Sequence, residues 1–249
     1  SAIFLKDELP PEAGHLIKNP HLANTFEQLA RHGPAIFYHG TIGSGIVETV
    51  QQAGGLLTQT DLLNYRAIAK EPVKGRYHDY EIYSTAPAGG GIQLIELLNI
   101  LENFDLKILG HNSADYLHLL AEAMKMVFKD KDANMADPTF YRIPIGQLLS
   151  AEHARELSRQ IEPQKATFNY QAPQWIERES GNTTHLSVVD ENRNIVALTQ
   201  SINSWFGSGV MDPQSGILLN NHMADFDAEP GMPNSVEPLK RPVSSIAPT

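Results

Sequence analysis

The stretch that most constrains the fold lies late in the chain. Residues 184–190 and 194–201 are rich in β-branched and apolar side chains, and Glu191-Asn192-Arg193-Asn194 joins them as a turn. The pattern predicts an antiparallel hairpin. Val188-Val189 and Ile195-Val196-Ala197-Leu198 are apolar at consecutive positions, which is expected of strands covered on both faces. Ile217-Leu218-Leu219 predicts a further short strand. The hairpin opens on Thr183-Thr184, after the flexible pair Gly181-Asn182. A threonine hydroxyl is a poor nucleophile unless a base sits beside it, and its own α-amine can be that base once the preceding chain has been cut away. A free α-amine titrates near pH ~8, close enough to neutral to take and return a proton. By residue pattern alone, a Thr-Thr pair opening a strand reads first as β-branched filler.

The region before it reads as helices. Asn19 is placed to cap a helix starting at Pro20 and stopping at Gly33, with Leu22, Phe26, Leu29 and Ala30 on it. A second helix is expected from Ser44 to the Gly54-Gly55 stop, and a short third one at Thr60-Asp61-Leu62-Leu63. Val73 to Ser84 alternates loosely around His78-Asp79 and predicts a second hairpin. Ala86-Pro87-Ala88-Gly89-Gly90-Gly91 leads into a helix over 92–104. Such a loop is either a tight strand-to-helix turn or an anion cradle, but it lacks the spacing and lysine of a phosphate-binding loop.

The clearest periodicity runs from Asn112 to Asp130. Leu117, Leu120, Ala121, Met124, Val127 and Phe128 form one stripe at helical spacing, predicting the buried face. Lys129-Asp130-Lys131-Asp132 reads as a solvated face. His111 and His118 lack a carboxylate partner pattern, so no metal site is expected there. Ser150 caps another helix through Ile161, and Pro163 to Arg178 reads as an extended connector.

The formal net charge of -10 disfavours a nucleic-acid partner. The absence of cysteine excludes disulfides and a thiol nucleophile. No apolar run reaches the roughly 18 residues of a membrane span. The first residues do not read as a signal peptide. They look like a cut taken inside a longer protein, and the end is similarly abrupt.

The run Thr183-Thr184-His185-Leu186-Ser187-Val188-Val189-Asp190 resembles the start of the small subunit of γ-glutamyltranspeptidases, members of the N-terminal-nucleophile hydrolases. The resemblance implies an α+β fold, the four-layer αββα sandwich of that superfamily, with a helical large-subunit part. It also implies cleavage between Asn182 and Thr183. Residues 1–182 would then be the later part of the large subunit and residues 183–249 the first part of the small one, both within one intertwined fold and incomplete at both ends. By the same resemblance Thr183 is the nucleophile and Ser201 the hydroxyl that bonds it. Asn203 holds the amino-acid end of a γ-glutamyl donor. The family's Asn-Asn-Gln-Met-Asp-Asp-Phe run stands here as Asn220-Asn221-His222-Met223-Ala224-Asp225-Phe226. Asp225 then pairs with the substrate α-ammonium, with His222 in place of a glutamine and Ala224 in place of an acid. Lys240-Arg241-Pro242-Val243-Ser244-Ser245 matches the family's carboxylate-binding run, making Ser244 and Ser245 the hydroxyls that hold the substrate carboxylate. The short segment from Pro233 to Lys240 resembles members without a long lid loop. The family's oxyanion glycines fall beyond Thr249 and its carboxylate-binding arginine before Ser1, so these 249 residues alone are expected to be inactive.

The implied activity is γ-glutamyl transfer or hydrolysis on glutathione-like amides through an acyl-threonine, with an amino acid or water as acceptor. No metal or organic cofactor is implied. Two alternatives stay open: a related acylase acting on cephalosporin side chains or poly-γ-glutamate, and an unprocessed, non-catalytic binding protein. Relatives occur both exported and without a signal, so the compartment is not fixed.

Overall fold

The computed structural model of the protein describes residues 3–5, 9–167 and 183–249. The Asn182 half of the expected cleavage site, and all but the first residues of the expected connector, lie outside the described residues. The chain divides into two units, Ser1–Ile68 with Ser204–Asn220, and Ala69–Asn203 with Asn221–Thr249.

In the first unit, α1 (Pro20–His32) begins where its cap predicts: Asn19 Oδ1 accepts from Leu22 N at 3.0 Å, and Pro20 occupies the first turn. α2 (Ala35–Tyr38) follows. α3 (Thr41–Gln52) starts three residues before the expected Ser44. Gly43 explains the early start: a Cβ there would lie 2.2 Å from the Phe37 carbonyl oxygen, so the first turn packs against the preceding helix only without a side chain. α4 (Gln59–Asn64) carries a full capping box between Thr58 and Asp61.

The loop over 204–220 is pinned to these helices through buried Asp212. That carboxylate accepts from Thr49 Oγ1 at 2.9 Å and from Ser215 N at 2.8 Å. Thr25 Oγ1 donates to the Ser215 carbonyl, and Asn19 Nδ2 donates to that of Gly216. The strand expected at Ile217-Leu218-Leu219 is reduced to a single bridge between Met211 and Leu218. The turn at Asp212–Gly216 consumes the residues that would lengthen it, with Gly216 at φ 68°.

The second unit holds two hairpins and the remaining helices. β1 (Val73–Tyr77) pairs antiparallel with β2 (Tyr80–Ser84), turning at His78-Asp79 as expected. α5 (Gly91–Leu101) follows the glycine loop, then α6 (Leu106–Leu109), α7 (Ala114–Asn134), α8 (Ile145–Leu148) and α9 (Ala151–Ser158). Ser113 and Ser150 cap α7 and α9. One core gathers Val73, Ile92, Ile95, Met135, Ile143, Leu148 and Val243. Another gathers Ile100, Leu101, Leu119, Ala123, Val127, Ala154 and Ile161. Each fully buried Ile contributes about 1.5–3 kcal/mol.

α7 corrects the expected stripe. Leu117, Met124 and Phe128 are 50%, 40% and 36% exposed; Val127 is buried as expected, together with Leu119, Glu122 and Ala123, which the stripe omits. The pattern reads Glu122 as surface and so rotates the stripe. Glu122 is tolerated inside because its carboxylate accepts from Lys125 Nζ at 2.6 Å and from Thr167 N at 3.2 Å.

Beyond Met135, fully buried Asp137 holds the last part of the chain. Its carboxylate accepts from Arg241 N, Nε and Nη2 at 3.0, 2.8 and 2.9 Å, and from the Thr139 hydroxyl at 2.8 Å. Burial alone would raise this carboxyl; the Arg241 and Thr139 donors outweigh it and hold it well below the usual carboxylate range.

β3 (Thr183–Val189) and β4 (Ile195–Ser201) form the second hairpin, one residue longer at its start than the Thr184 boundary. Its register pairs Thr183 with Ser201, His185 with Thr199, Leu186 with Leu198 and Val188 with Val196. One face therefore begins with Thr183, His185, Ser187, Thr199 and Ser201, and the other carries Leu186, Val188, Val196 and Leu198. The two-sided cover expected from the apolar run is not seen. Every β3 residue is exposed, and Val188 and Val196 are 54% and 57% so.

Asp137→Asn leaves the Arg241 guanidinium with a neutral partner and should cost about 2–4 kcal/mol at pH 7 by urea denaturation. The folded carboxyl titrates below its unfolded value near ~3.9, so its contribution is complete well above that pH and fades as pH falls through it. The difference between wild type and variant should shrink below about pH 4.

Candidate active site

The site is built outward from the open end of the β3–β4 hairpin. Because Thr183 faces Ser201 across the first rung, their side chains share one face, and Thr183 Oγ1 donates to Ser201 Oγ at 3.0 Å. The same Ser201 oxygen accepts from Asn203 N at 2.9 Å. That second bond needs the chain to turn sharply after β4. Asn203 makes the turn at φ 73°, a left-handed conformation that asparagine tolerates better than most residues.

The turn points the Asn203 amide at Asp225. Asn203 Nδ2 donates to Asp225 Oδ1 at 2.9 Å. Asp225 ends a 3-10 turn over His222–Asp225, which puts His222 beside it. His222 Nδ1 lies 3.3 Å from Asp225 Oδ2, and Nε2 lies 3.2 Å from the Ser201 carbonyl oxygen. Which of the two contacts is a hydrogen bond depends on the tautomer of the ring. Asn221 N closes the loop by donating to the Ile202 carbonyl at 3.3 Å. Thr183, Ser201, Asn203, His222 and Asp225 thus form one connected hydrogen-bonded group of neutral and acidic character. His185 extends the polar face, bridging Thr199 Oγ1 and Ser187 Oγ at 2.7 and 3.1 Å.

Ser244 and Ser245 are held apart from this group. Ser244 N donates to the Ala88 carbonyl at 2.8 Å, and Gly90 N to that of Ile246 at 2.9 Å. A Cβ on Gly90 would lie 2.7 Å from the Ser245 carbonyl oxygen. The glycine loop is therefore the backbone cradle of residues 244–246 as well as a strand-to-helix turn. Ser244 Oγ accepts from Ile246 N at 3.2 Å. Among the described residues neither serine hydroxyl bonds to Thr183, Asn203 or Asp225.

The residue that links the two parts is Asn234, which sequence reasoning missed. It is buried, its Nδ2 donates to the Asp225 carbonyl at 2.7 Å, and its Oδ1 accepts from Val243 N at 3.2 Å. A Pro-Asn-Ser run signals only a turn, and nothing in its pattern points to a bridge. A cleft of about 420 Å3 lined by Lys74, Arg76, Asn99, Glu102 and Arg155 holds none of these residues.

The γ-glutamyltranspeptidase family model matches residues 1–249. The chain belongs to this family. The glutathione hydrolase proenzyme of Escherichia coli K12 is 41% identical over 261 residues, covering 100% of the chain and 45% of that relative. The acylase ACY 1 proenzyme of Pseudomonas sp. SE83 is 37% identical over 253 residues, covering 100% and 44%. Among solved structures, a cephalosporin acylase from Bacillus halodurans superposes with a TM-score of 0.84 at 29% identity, over 99% of the chain and 44% of its own. The Helicobacter pylori γ-glutamyltranspeptidase gives 0.61 at 31% identity, over 72% and 52%. The chain thus spans less than half the length of the curated relatives it matches. This γ-glutamyltranspeptidase-family chain is mixed helix and strand, and among its described residues no helix is long and apolar enough to cross a membrane.

Ser201→Ala removes the acceptor shared by Thr183 Oγ1 and Asn203 N. It should lower stability by about 1 kcal/mol in chemical denaturation, with the hairpin end more open to amide exchange.

Proposed function

We propose that the protein is a γ-glutamyl hydrolase and transferase that works through an acyl-threonine on Thr183, after cutting itself between Asn182 and Thr183. The single observation that carries this is the Thr183–Ser201–Asn203–Asp225 chain of hydrogen bonds, in which a candidate nucleophile and a candidate ammonium-binding carboxylate are joined through two residues. Membership in the family supports it.

In processing, the Thr183 hydroxyl oxygen attacks the Asn182 carbonyl carbon. The bond from that carbon to the Thr183 nitrogen breaks, the nitrogen takes the proton, and an ester remains. Water hydrolyses the ester and leaves a free α-amine on Thr183. In turnover that amine takes the hydroxyl proton while the oxygen attacks the γ-carbonyl of the donor. The proton passes to the departing amine, and the γ-glutamyl group stays on Thr183 as an ester. Water or an amino-acid amine then attacks the ester, and the hydroxyl is restored. Ser201 orients the Thr183 hydroxyl, Asp225 pairs with the donor α-ammonium, Asn203 fixes Asp225, and Ser244 and Ser245 take the α-carboxylate. The large and small parts, residues 1–182 and 183–249, remain associated within one fold. The apolar face of the β3–β4 hairpin is an inner face of the αββα sandwich.

A second reading, an acylase with a donor lacking the α-amino group, is favoured by one contact. His222 already sits on Asp225 Oδ2, where it competes with a substrate ammonium. Relatives named glutathione hydrolase and acylase both match the whole chain.

Intact mass and N-terminal sequencing of the expressed protein test the nucleophile. A fragment beginning Thr183-Thr184-His185 is expected, and Thr183→Ala should give only uncut chain. A wild type that stays whole after long incubation favours the non-catalytic reading.

In the full-length protein, turnover of γ-glutamyl- and glutaryl-p-nitroanilide separates the substrate readings. Asp225→Ala should cut kcat/KM about 30-fold or more on the first, the loss of a partly buried ion pair, and leave the second within about threefold. Equal losses on both would assign Asp225 to holding Asn203 rather than to the substrate.

A further inference from the structure

Away from the hairpin, α5, α7 and α9 pack on one another and direct three ligating side chains at one point. Glu96 comes from α5, Asp130 from α7 and His153 from α9. His153 Nε2 lies 2.7 Å from Asp130 Oδ2 and 3.4 Å from Glu96 Oε1, and the three ligating atoms all fall within 4.8 Å of one another. Asp130 belongs to the run whose pattern reads as a solvated face, yet its carboxylate turns inward.

Two features mark the cluster as more than a packed polar core. The first is an orphan acceptor. Glu96 is 1% exposed, and its Oε1 has no hydrogen-bond partner among the described residues although it points at His153. Buried polar atoms are rarely left so. The second is spacing. A cation with bonds of ~2.1 Å to nitrogen and oxygen has ligand–ligand edges of about 3.0–3.4 Å; the Glu96–His153 pair already lies at that spacing, and the His153–Asp130 pair, now a 2.7 Å hydrogen bond, has only a few tenths of an ångström to open.

We propose that Glu96 Oε1, Asp130 Oδ2 and His153 Nε2 form a binding site for one divalent transition-metal ion of the zinc class, which cross-braces α5, α7 and α9. One imidazole and two carboxylates suit zinc better than calcium or magnesium, which prefer oxygen alone. The ion would give Glu96 Oε1 the partner it otherwise lacks. The site contains none of the residues assigned to acyl transfer, so it is independent of that assignment.

The test uses the expressed protein after dialysis against a chelator, with Zn2+ alone as probe. Calorimetric titration should show one equivalent bound per chain. The thermal midpoint should rise by about 5–10 °C at a hundredfold excess over Kd. Glu96→Gln keeps the size and shape of the side chain and should fold normally by circular dichroism while losing the tight equivalent and the shift. His153→Gln should do the same. Co2+ in place of Zn2+ should give visible d–d absorption in the wild type and not in either variant. No uptake by wild type overturns the proposal. Uptake that persists in both variants would place the ion on other histidines, which overturns it equally.

Discussion

The rung between Thr183 and Ser201 is the constraint on which the candidate site depends. Side chains of paired residues in an antiparallel ladder point to the same face, so the register alone brings two hydroxyls within 3.0 Å. A slip of one residue would turn Thr183 to the apolar face beside Leu186 and Val188. The turn at Glu191–Asn194 guards against it: Asp190 accepts from the Asn194 backbone and side-chain nitrogens, both at 2.7 Å. The left-handed Asn203 then converts the end of β4 into the start of the Asp225 contact. Each step is local, yet together they carry a carboxylate 42 positions down the sequence to the neighbourhood of Thr183.

What keeps the 3-10 turn in place is less local. Asn234 ties the Asp225 carbonyl to Val243, and Asp137 ties Arg241 to the end of α7. The glycine loop before α5 then receives residues 244–246. These are long-range bonds to backbone groups or to one buried charge. They explain why a run with two prolines and no regular secondary structure nevertheless has a fixed course.

How much of this is legible in the sequence follows from the reach of each interaction. Caps, glycine stops and turns act within a few residues, so Asn19, Ser150, Gly33 and the His78-Asp79 turn are readable. The Thr183 run and the spacing of Ser201, Asn203 and Asp225 are readable as family motifs, with Thr183–Ser201 following from the hairpin register as well. Buried polar residues are where reading fails. Glu122 and Glu96 look like surface acids, and Asp130 like part of a charged face, because their partners lie in other elements. The same blindness rotates the α7 stripe away from Leu119 and Ala123. The glycine loop offers two readings, and its third use, as a seat for residues 244–246, is set by a segment some 150 positions away.

The hairpin's second face bears on the layer architecture. Leu186, Val188, Val196 and Leu198 form two cross-strand apolar pairs, and all are at least 42% exposed. An isolated two-stranded ribbon is marginal in water, since it lacks the area to offset the ordering of its backbone. A contiguous exposed apolar face is a surface built to be covered. The first face, by contrast, opens with Thr183, His185, Ser187, Thr199 and Ser201 and is internally hydrogen-bonded, so it has less to gain from apolar cover. The two faces therefore differ in role. One carries the candidate chemistry, and the other supplies the adhesion that would hold it rigid.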